Sequence, residues 1–308
     1  DLMPAYSTHY LFAKELEEDI KNTVDFDLDE CAYFVGTQGP DIFFDHRIMP
    51  WMAGKTLRKV GSLLHRSKPA EILNEMRSYI NLSNEKDIAK SYAAGFILHY
   101  ALDCKCHPFV YALQNKITRQ FSKINPHSVH NTIEFSMDVY LLNKRLNIEL
   151  PYAFDTASTM KLADKSLDEL GKMISFVTTK VTGKAVSPGD CVTAVKDLKY
   201  VQKLTTDKNG KKEKFVSVID RAIAAFSNNF ELKTLLRPKD LENAKKYGNI
   251  EREIWQSPYD NEKRNDSFED LFNFAKEDAL KIVESFFAGE DTYKITQNKS
   301  FLTGVEVK

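Results

Sequence analysis

The segment from Asp87 to about Gln114 constrains the fold most strongly, because its pattern predicts one long helix that is apolar on most sides. A helix of this kind must be covered by other elements on nearly all of its faces. Apolar residues recur at spacings of three and four through the rest of the sequence, and strict alternation is scarce. The sequence therefore predicts an all-α, multi-helix fold built around this segment.

Helix start and stop signals divide the remainder of the chain. Ser7 can cap the first helix, and Ser128 can cap a later one. Gly36 can end the second helix, and Pro69 lies near the start of another. Helices are predicted at roughly 7–20, 28–35, 55–65, 69–82, 87–114, 128–146, 157–180, 189–205, 213–228 and 267–287. The intervening segments are predicted to be a charged turn at 206–214, an irregular loop at 246–266 and a short extended piece at 290–308.

The spacing of histidines and carboxylates on two predicted helices indicates a metal site. His99, Asp103 and His107 are spaced at i, i+4 and i+8, so they share one face of the long helix. His130 and Glu134 form a second i, i+4 pair on a separate helix. One such pair alone is more often a helix-stabilising contact. Two sets together favour a site for zinc, which accepts imidazole and carboxylate ligands.

Further residues of the same types precede these helices in a specific order: Thr8-His9, then Gly39-Pro40-Asp41, then Leu64-His65. The ordered set resembles the zinc-dependent phospholipase C family, which shares its fold with the S1/P1 single-strand nucleases. The resemblance covers residues 1–140 well. It implies an all-helical phospholipase C/P1 nuclease-like domain, here with an elaborated helical C-terminal half.

The resemblance also implies how the ligands are shared among zinc ions at the bottom of a cleft. Asp41, His65, His99 and Asp103 match the ligands of one ion, and His107, His130 and Glu134 match those of a second. His9 and the bridging Asp103 match the third, which the family completes with its N-terminal residue. This chain has Asp1 there instead of the usual tryptophan, and eight residues precede His9. Roughly two to three zinc ions are therefore expected. His127, one turn before His130, is an alternative ligand to it.

The implied reaction is hydrolysis of a phosphodiester by metal-activated water. In that reaction Asp41 is both a ligand and the carboxylate that orients or deprotonates the water. Phe43 and Phe44 follow Asp41 and can form either an aromatic rim for the substrate or part of the core. The neighbours of Asp103 on the ligand helix, Cys104 and Cys106, are expected to pack rather than bind metal.

Composition limits the substrate and the location. The chain has 308 residues with 43 basic and 44 acidic side chains, which argues against a protein that binds nucleic acid mainly by bulk charge. A phospholipid head group is therefore favoured as substrate over nucleic acid. The absence of an 18-residue apolar run predicts no stable membrane insertion, and the lack of an apolar leader favours a cytoplasmic location.

Three functions remain open at this level. The first is a zinc-dependent phosphoric diester hydrolase of the phospholipase C type. The second is an S1/P1-like nuclease or 3′-nucleotidase, and the third is a non-catalytic, zinc-stabilised helical binding protein. A single all-helical domain is expected over 1–308, with the metal ligands in 1–148 and a further helical half in 149–308.

Overall fold

The computed structural model describes residues 6–49, 51–121, 123–223 and 232–307. The described chain is all-α apart from one two-stranded hairpin. Its helices are α1 Tyr6–Thr23, α2 Glu30–Gly36, α3 Arg58–Arg66, α4 Pro69–Leu82, α5 Lys86–Gln120, α6 Pro126–Leu146, α7 Thr156–Thr159, α8 Asp164–Thr182, α9 Pro188–Thr205, α10 Lys212–Ile223, α11 Leu241–Lys246, α12 Phe268–Phe287 and α13 Thr292–Thr296. Short 3-10 turns lie at Gly39–Phe43, Pro151–Ala153 and Leu232–Leu235.

The predicted central helix is α5, which packs against α1, α2, α4, α6, α8 and α12. It continues to Gln120 rather than ending near Gln114, and it passes through Pro108. Proline removes one helical hydrogen bond, so the tertiary packing around α5 outweighs the break that Pro108 favours. The longer helix carries three of the predicted ligands on one face.

Two glycines let α2 lie unusually close to α5. A Cβ atom on Gly95 would collide with the carbonyl oxygen of Tyr33, and one on Gly36 would collide with that of Tyr92. Gly36 therefore serves close helix packing as well as ending α2. This contact fixes the turn that follows α2, in which Asp41 lies.

Several boundaries differ from the sequence predictions. Helix α6 begins at Pro126, because the side chain of Asn125, not Ser128, caps it. The helix predicted at 157–180 is divided into α7 and α8, because the chain at Met160 is extended and its carbonyl accepts a hydrogen bond from Lys199. For the helix predicted at 213–228, residues 224–228 lie outside the described residues.

The last third of the chain is also more structured than predicted. The segment 246–266 contains an antiparallel hairpin of strands β1 Trp255–Gln256 and β2 Lys263–Arg264. The segment 290–308 contains α13 and an isolated bridge between Lys299 and Glu306 instead of being only extended. The buried core includes side chains from both halves of the chain. Within the described residues, no helix is long and apolar enough to cross a membrane.

Candidate metal centre

All eight predicted ligand residues come together between α1, α3, α5, α6 and the 3-10 turn after α2. Seven of them line one cavity of about 170 Å³, and the eighth, His99, is fully buried. Among the described residues, three sets have donor atoms that lie within 4.8 Å of one another: His9, Asp41 and His99; His65, His99 and Asp103; and His107, His130 and Glu134. The third set has the same members as the second ion's ligands in the resemblance.

Asp103 lies at the centre of the cluster. Its carboxylate oxygens are 3.3 Å from His9 Nε2, 3.2 Å from His99 Nε2 and 3.6 Å from His107 Nδ1. Burial by itself raises the pKa of the Asp103 carboxyl, but His99, His107 and the hydrogen bond from His9 hold it well below its usual range. A buried carboxylate that stays ionised among several imidazoles can bridge two cations.

Asp41 faces the same group from the turn. Its Oδ1 is 3.1 Å from His65 Nε2, and its Oδ2 is 3.9 Å from His99 Nδ1. The preceding Gly39 has φ +50°, and a Cβ atom there would collide with the His99 ring. Glycine is therefore needed for both the backbone conformation and the space that seats Asp41 beside His99.

The third donor set is built on α5 and α6. Glu134 Oε1 is 3.2 Å from His130 Nε2 and 3.6 Å from His107 Nε2. Burial raises the pKa of Glu134, but the two histidines together lower it to about 2. Burial lowers the pKa of His107, but Asp103 and Glu134 raise it to about 10. A proton on His107 thus takes the place of positive charge that a metal would supply.

Each of four histidines is held through Nδ1. The acceptors are Gly61 O for His65 (2.9 Å), Thr37 O for His99 (3.2 Å), Phe301 O for His107 (2.8 Å) and Gln114 Oε1 for His130 (2.8 Å). A carbonyl oxygen can only accept a hydrogen bond, so Nδ1 carries the proton and Nε2 remains as the atom that can bind a metal. Histidine ligands of metals are usually oriented in this way.

Unpartnered buried atoms test whether a metal fits. Within the described structure, His99 Nε2, Glu134 Oε2 and His9 Nδ1 are buried and have no hydrogen-bond partner. With its proton on Nδ1, His99 has no hydrogen on Nε2 to donate to the Asp103 carboxylate 3.2 Å away. Buried polar atoms are almost always satisfied. His99 Nε2 and Glu134 Oε2 belong to residues of the donor sets, and nitrogen and carboxylate oxygen are donors that zinc accepts. The residues present therefore fit zinc.

The first turn of α1, which carries His9, is fixed by a buried network that sequence reasoning missed. Asp138 accepts hydrogen bonds from the N–H groups of Ser7 (3.2 Å) and Thr8 (2.8 Å). Arg237 pairs with Asp138 at 3.3 Å and also donates to Ser7 Oγ at 2.6 Å. The i, i+4 step from Glu134 to Asp138 was the available signal for the carboxylate, whereas nothing local marks Arg237.

Of the three other residues that the sequence singled out near the site, two line the cavity and one does not. Phe44 stacks on His65 with ring centroids 5.5 Å apart and lines the cavity. Phe43, for which a place at the substrate or in the core was expected, is a fully buried core residue and does not line the cavity. His127 lines the cavity but belongs to none of the donor sets found among the described residues.

The cavity walls contain residues that the sequence did not single out, namely Tyr111, Gln114 and Leu302. Cys104 and Cys106 lie outside the donor sets, and burial raises the pKa of the Cys104 thiol to about 11. Residues 1–5, which include the N-terminal amine expected at the third ion, lie outside the described residues.

A comparison with models of protein families identifies the family of this chain. The model of the zinc dependent phospholipase C family matches residues 8–186, more than half of the chain. The chain belongs to the zinc-dependent phospholipase C family. Neither the curated proteins nor the solved structures give a significant match. The matched range contains all eight predicted ligand residues, and membership together with the donor sets supports a zinc-dependent, phospholipase-like hydrolase.

Proposed function

We propose that the protein is a zinc-dependent phosphodiester hydrolase of the phospholipase C type. The observation that carries the proposal is the convergence of three donor sets on one cavity, with four histidines oriented through Nδ1. A core that needed histidines only for packing would have no reason to orient four Nε2 atoms in this way. Bound zinc in such a site supplies a Lewis acid and water activated at neutral pH.

We assign the donor residues as follows. Asp41, His65, His99 and Asp103 would hold one ion, and His107, His130 and Glu134 would hold a second. His9 and Asp103 are available to a third. The short distances from Asp103 to His9 and His99 support a bridging role. Mutual repulsion between cations is reduced by the three carboxylates that line the cavity.

The charge of the cavity supports a phosphate-bearing substrate only when cations are present. No Lys or Arg is among the described residues that line it, whereas Asp41, Asp103 and Glu134 are. A phosphodiester would be repelled by these carboxylates alone. Bound cations would reverse the local charge, so the same lining residues would then form an anion site. Its volume of about 170 Å³ suits a phosphoryl group with a small substituent rather than long acyl chains.

Asp41 is the candidate general base, the carboxylate that orients or deprotonates the attacking water. It is almost completely buried, and one oxygen contacts His65 Nε2 at 3.1 Å. The other oxygen has a longer contact, 3.9 Å to His99 Nδ1. That oxygen can accept a hydrogen bond from water and orient it toward phosphorus. Phe44, stacked on His65, supplies an apolar wall beside this position.

A substrate panel tests the proposal. Zinc-loaded protein would be assayed with short-chain phosphatidylcholine, phosphatidylethanolamine, single-stranded DNA and a nucleoside 3′-monophosphate. We expect cleavage of phospholipid to diacylglycerol and a loss of at least about 100-fold in kcat for Asp41→Asn. The control, Asp19→Asn, changes an exposed carboxylate on α1 and should leave turnover unchanged. No turnover of any phosphodiester by the zinc-loaded protein would overturn the proposal, and cleavage of DNA alone would favour the nuclease.

A further inference from the structure

The C-terminal segment, residues 297–307, lies against the metal centre although it is distant in sequence. It turns back on itself through the bridge between Lys299 and Glu306. The hydroxyl of Tyr100, on α5, shares its one hydrogen between Lys299 O at 2.9 Å and Thr296 O, at the end of α13, at 3.2 Å. The segment is therefore fastened to the helix that carries three candidate ligands.

The proline in α5 supplies the surface on which the segment packs. Pro108 lacks an N–H, so the Cys104 carbonyl has no helical donor. Gly304 lies against this carbonyl, and a Cβ atom on it would be 2.8 Å from the Cys104 oxygen and 3.0 Å from Pro108 Cγ. Its φ of +66° also favours glycine. This contact fixes the register of the segment along α5.

Phe301 and Leu302 bring the segment into the site. The Phe301 ring is fully buried, with centroids 4.9 Å from Tyr100, 5.8 Å from His65 and 6.1 Å from His99. The Phe301 carbonyl accepts the Nδ1 hydrogen bond of His107 at 2.8 Å. Leu302 forms part of the cavity wall.

His107 differs from the other oriented histidines in the source of its acceptor. The acceptors of His65, His99 and His130 lie within the range that the family model matches, whereas that of His107 comes from 194 positions later. Loss of the Phe301 carbonyl should therefore act mainly on the set of His107, His130 and Glu134, whereas loss of the Phe301 ring also removes packing from His65 and His99.

We propose that residues 297–307 are a positioning element of the metal centre, which holds His107 in the tautomer and orientation that present Nε2 toward Glu134. The Phe301 carbonyl accepts the Nδ1 proton, so the Nε2 lone pair remains for a cation. Without this acceptor the ring can rotate and protonate at either nitrogen. The proposal rests on the proposed zinc function but concerns metal binding, which is measured without turnover.

The test is a truncation after Ser300, compared with the full-length chain and with Asp19→Asn, which changes an exposed carboxylate on α1, outside the segment. Zinc affinity is measured by competition with a chromophoric chelator, and cobalt substitution reports ligand geometry. We expect one equivalent of zinc to bind about 10- to 100-fold more weakly in the truncated protein. This is the usual loss of metal affinity when the hydrogen-bond acceptor that orients a histidine ligand is removed. The zinc held by Asp41, His65, His99 and Asp103 should weaken less, and Asp19→Asn should bind as the full-length protein does.

A truncated protein with unchanged zinc affinity and an unchanged cobalt spectrum would overturn the proposal, and so would equal weakening of every zinc. If the truncated protein does not fold, Tyr100→Phe decides, since it removes the hydroxyl that binds Lys299 O and keeps the whole chain. One zinc weakened by about threefold or more supports the proposal, and unchanged affinity overturns it. A wild-type protein that binds zinc but cleaves no phosphodiester would contradict the proposed function without contradicting the positioning role of the segment.

Discussion

The buried ion pair between Asp138 and Arg237 should be essential for holding His9 in place. The Asp138 carboxylate is completely buried and binds the first turn of α1, while Arg237 lies 3.3 Å away with a side chain that is only 6% exposed. Arg237→Met leaves this carboxylate buried without its cation. We expect a loss of about 3–5 kcal/mol in the free energy of unfolding, the usual cost of breaking a buried pair from one side.

A double-mutant cycle separates the charge pair from simple loss of packing. Asp138→Asn removes the charge but keeps an oxygen that can accept from Thr8 N–H. The double variant Asp138→Asn/Arg237→Met leaves no unpaired charge, so it should lose less than the sum of the single losses, with a coupling of at least about 1 kcal/mol. Urea unfolding followed by circular dichroism, at the same saturating zinc for every variant, measures each value.

The matched control is Arg252→Met, which breaks a surface pair with Asp270 at 2.9 Å in which the arginine side chain is 55% exposed. Exposed pairs contribute little, so its cost should stay within about 1 kcal/mol. The reasoning would be refuted if Arg237→Met cost no more than this control. It would also be refuted if the two changes in the cycle were strictly additive.

Three further predictions follow from the site and the core. Because the pKa of His107 is raised to about 10, zinc binding at pH 7 should release at least one proton per chain. The heat of zinc binding measured by calorimetry should therefore depend on the ionisation enthalpy of the buffer. A heat that is the same in every buffer would contradict this prediction. Gly95→Ala forces a Cβ atom against a backbone carbonyl of α2 and should lower the free energy of unfolding by about 1–3 kcal/mol. Gly189→Ala, whose Cβ atom would meet only Ser187 Oγ at 3.9 Å, should be nearly neutral in urea unfolding. Burial raises the pKa of Asp45 to about 7, so the native state favours the protonated carboxyl. The free energy of unfolding should therefore fall by about 1.4 kcal/mol for each pH unit as the pH rises from about 4 to 7. Asp45→Asn should remove this fall, and an unchanged pH profile in the variant would disprove the assignment.

The helical ligand pattern was predictable because it is local. On one helix, spacing alone fixes which side chains share a face, so His99, Asp103 and His107 could be grouped before the structure was known. His9 and Asp41 lie on other elements, and only their order along the chain, through the family resemblance, related them to these residues. Their contacts with Asp103 and His65 agree with that grouping.

Contacts between distant segments were not predictable from spacing. The hydrogen bond from His107 to Phe301 joins residues 194 positions apart, and that from Arg237 to Ser7 joins residues 230 positions apart. Phe43 and Phe44 illustrate the same limit, since both are buried but only Phe44 lines the cavity, and the sequence does not say which of the two does so. That the whole chain forms one domain stays a prediction, which a single calorimetric unfolding transition would support.

Zinc content tests the central claim most directly. Purified protein with its natural N-terminus would be dialysed against metal-free buffer and measured by elemental analysis, together with His99→Ala, which removes a donor shared by two of the three sets. The account predicts roughly two to three zinc ions per chain in the wild-type protein and at least one fewer in the variant. A folded wild-type protein without bound zinc, or a variant that keeps the full complement, would contradict it.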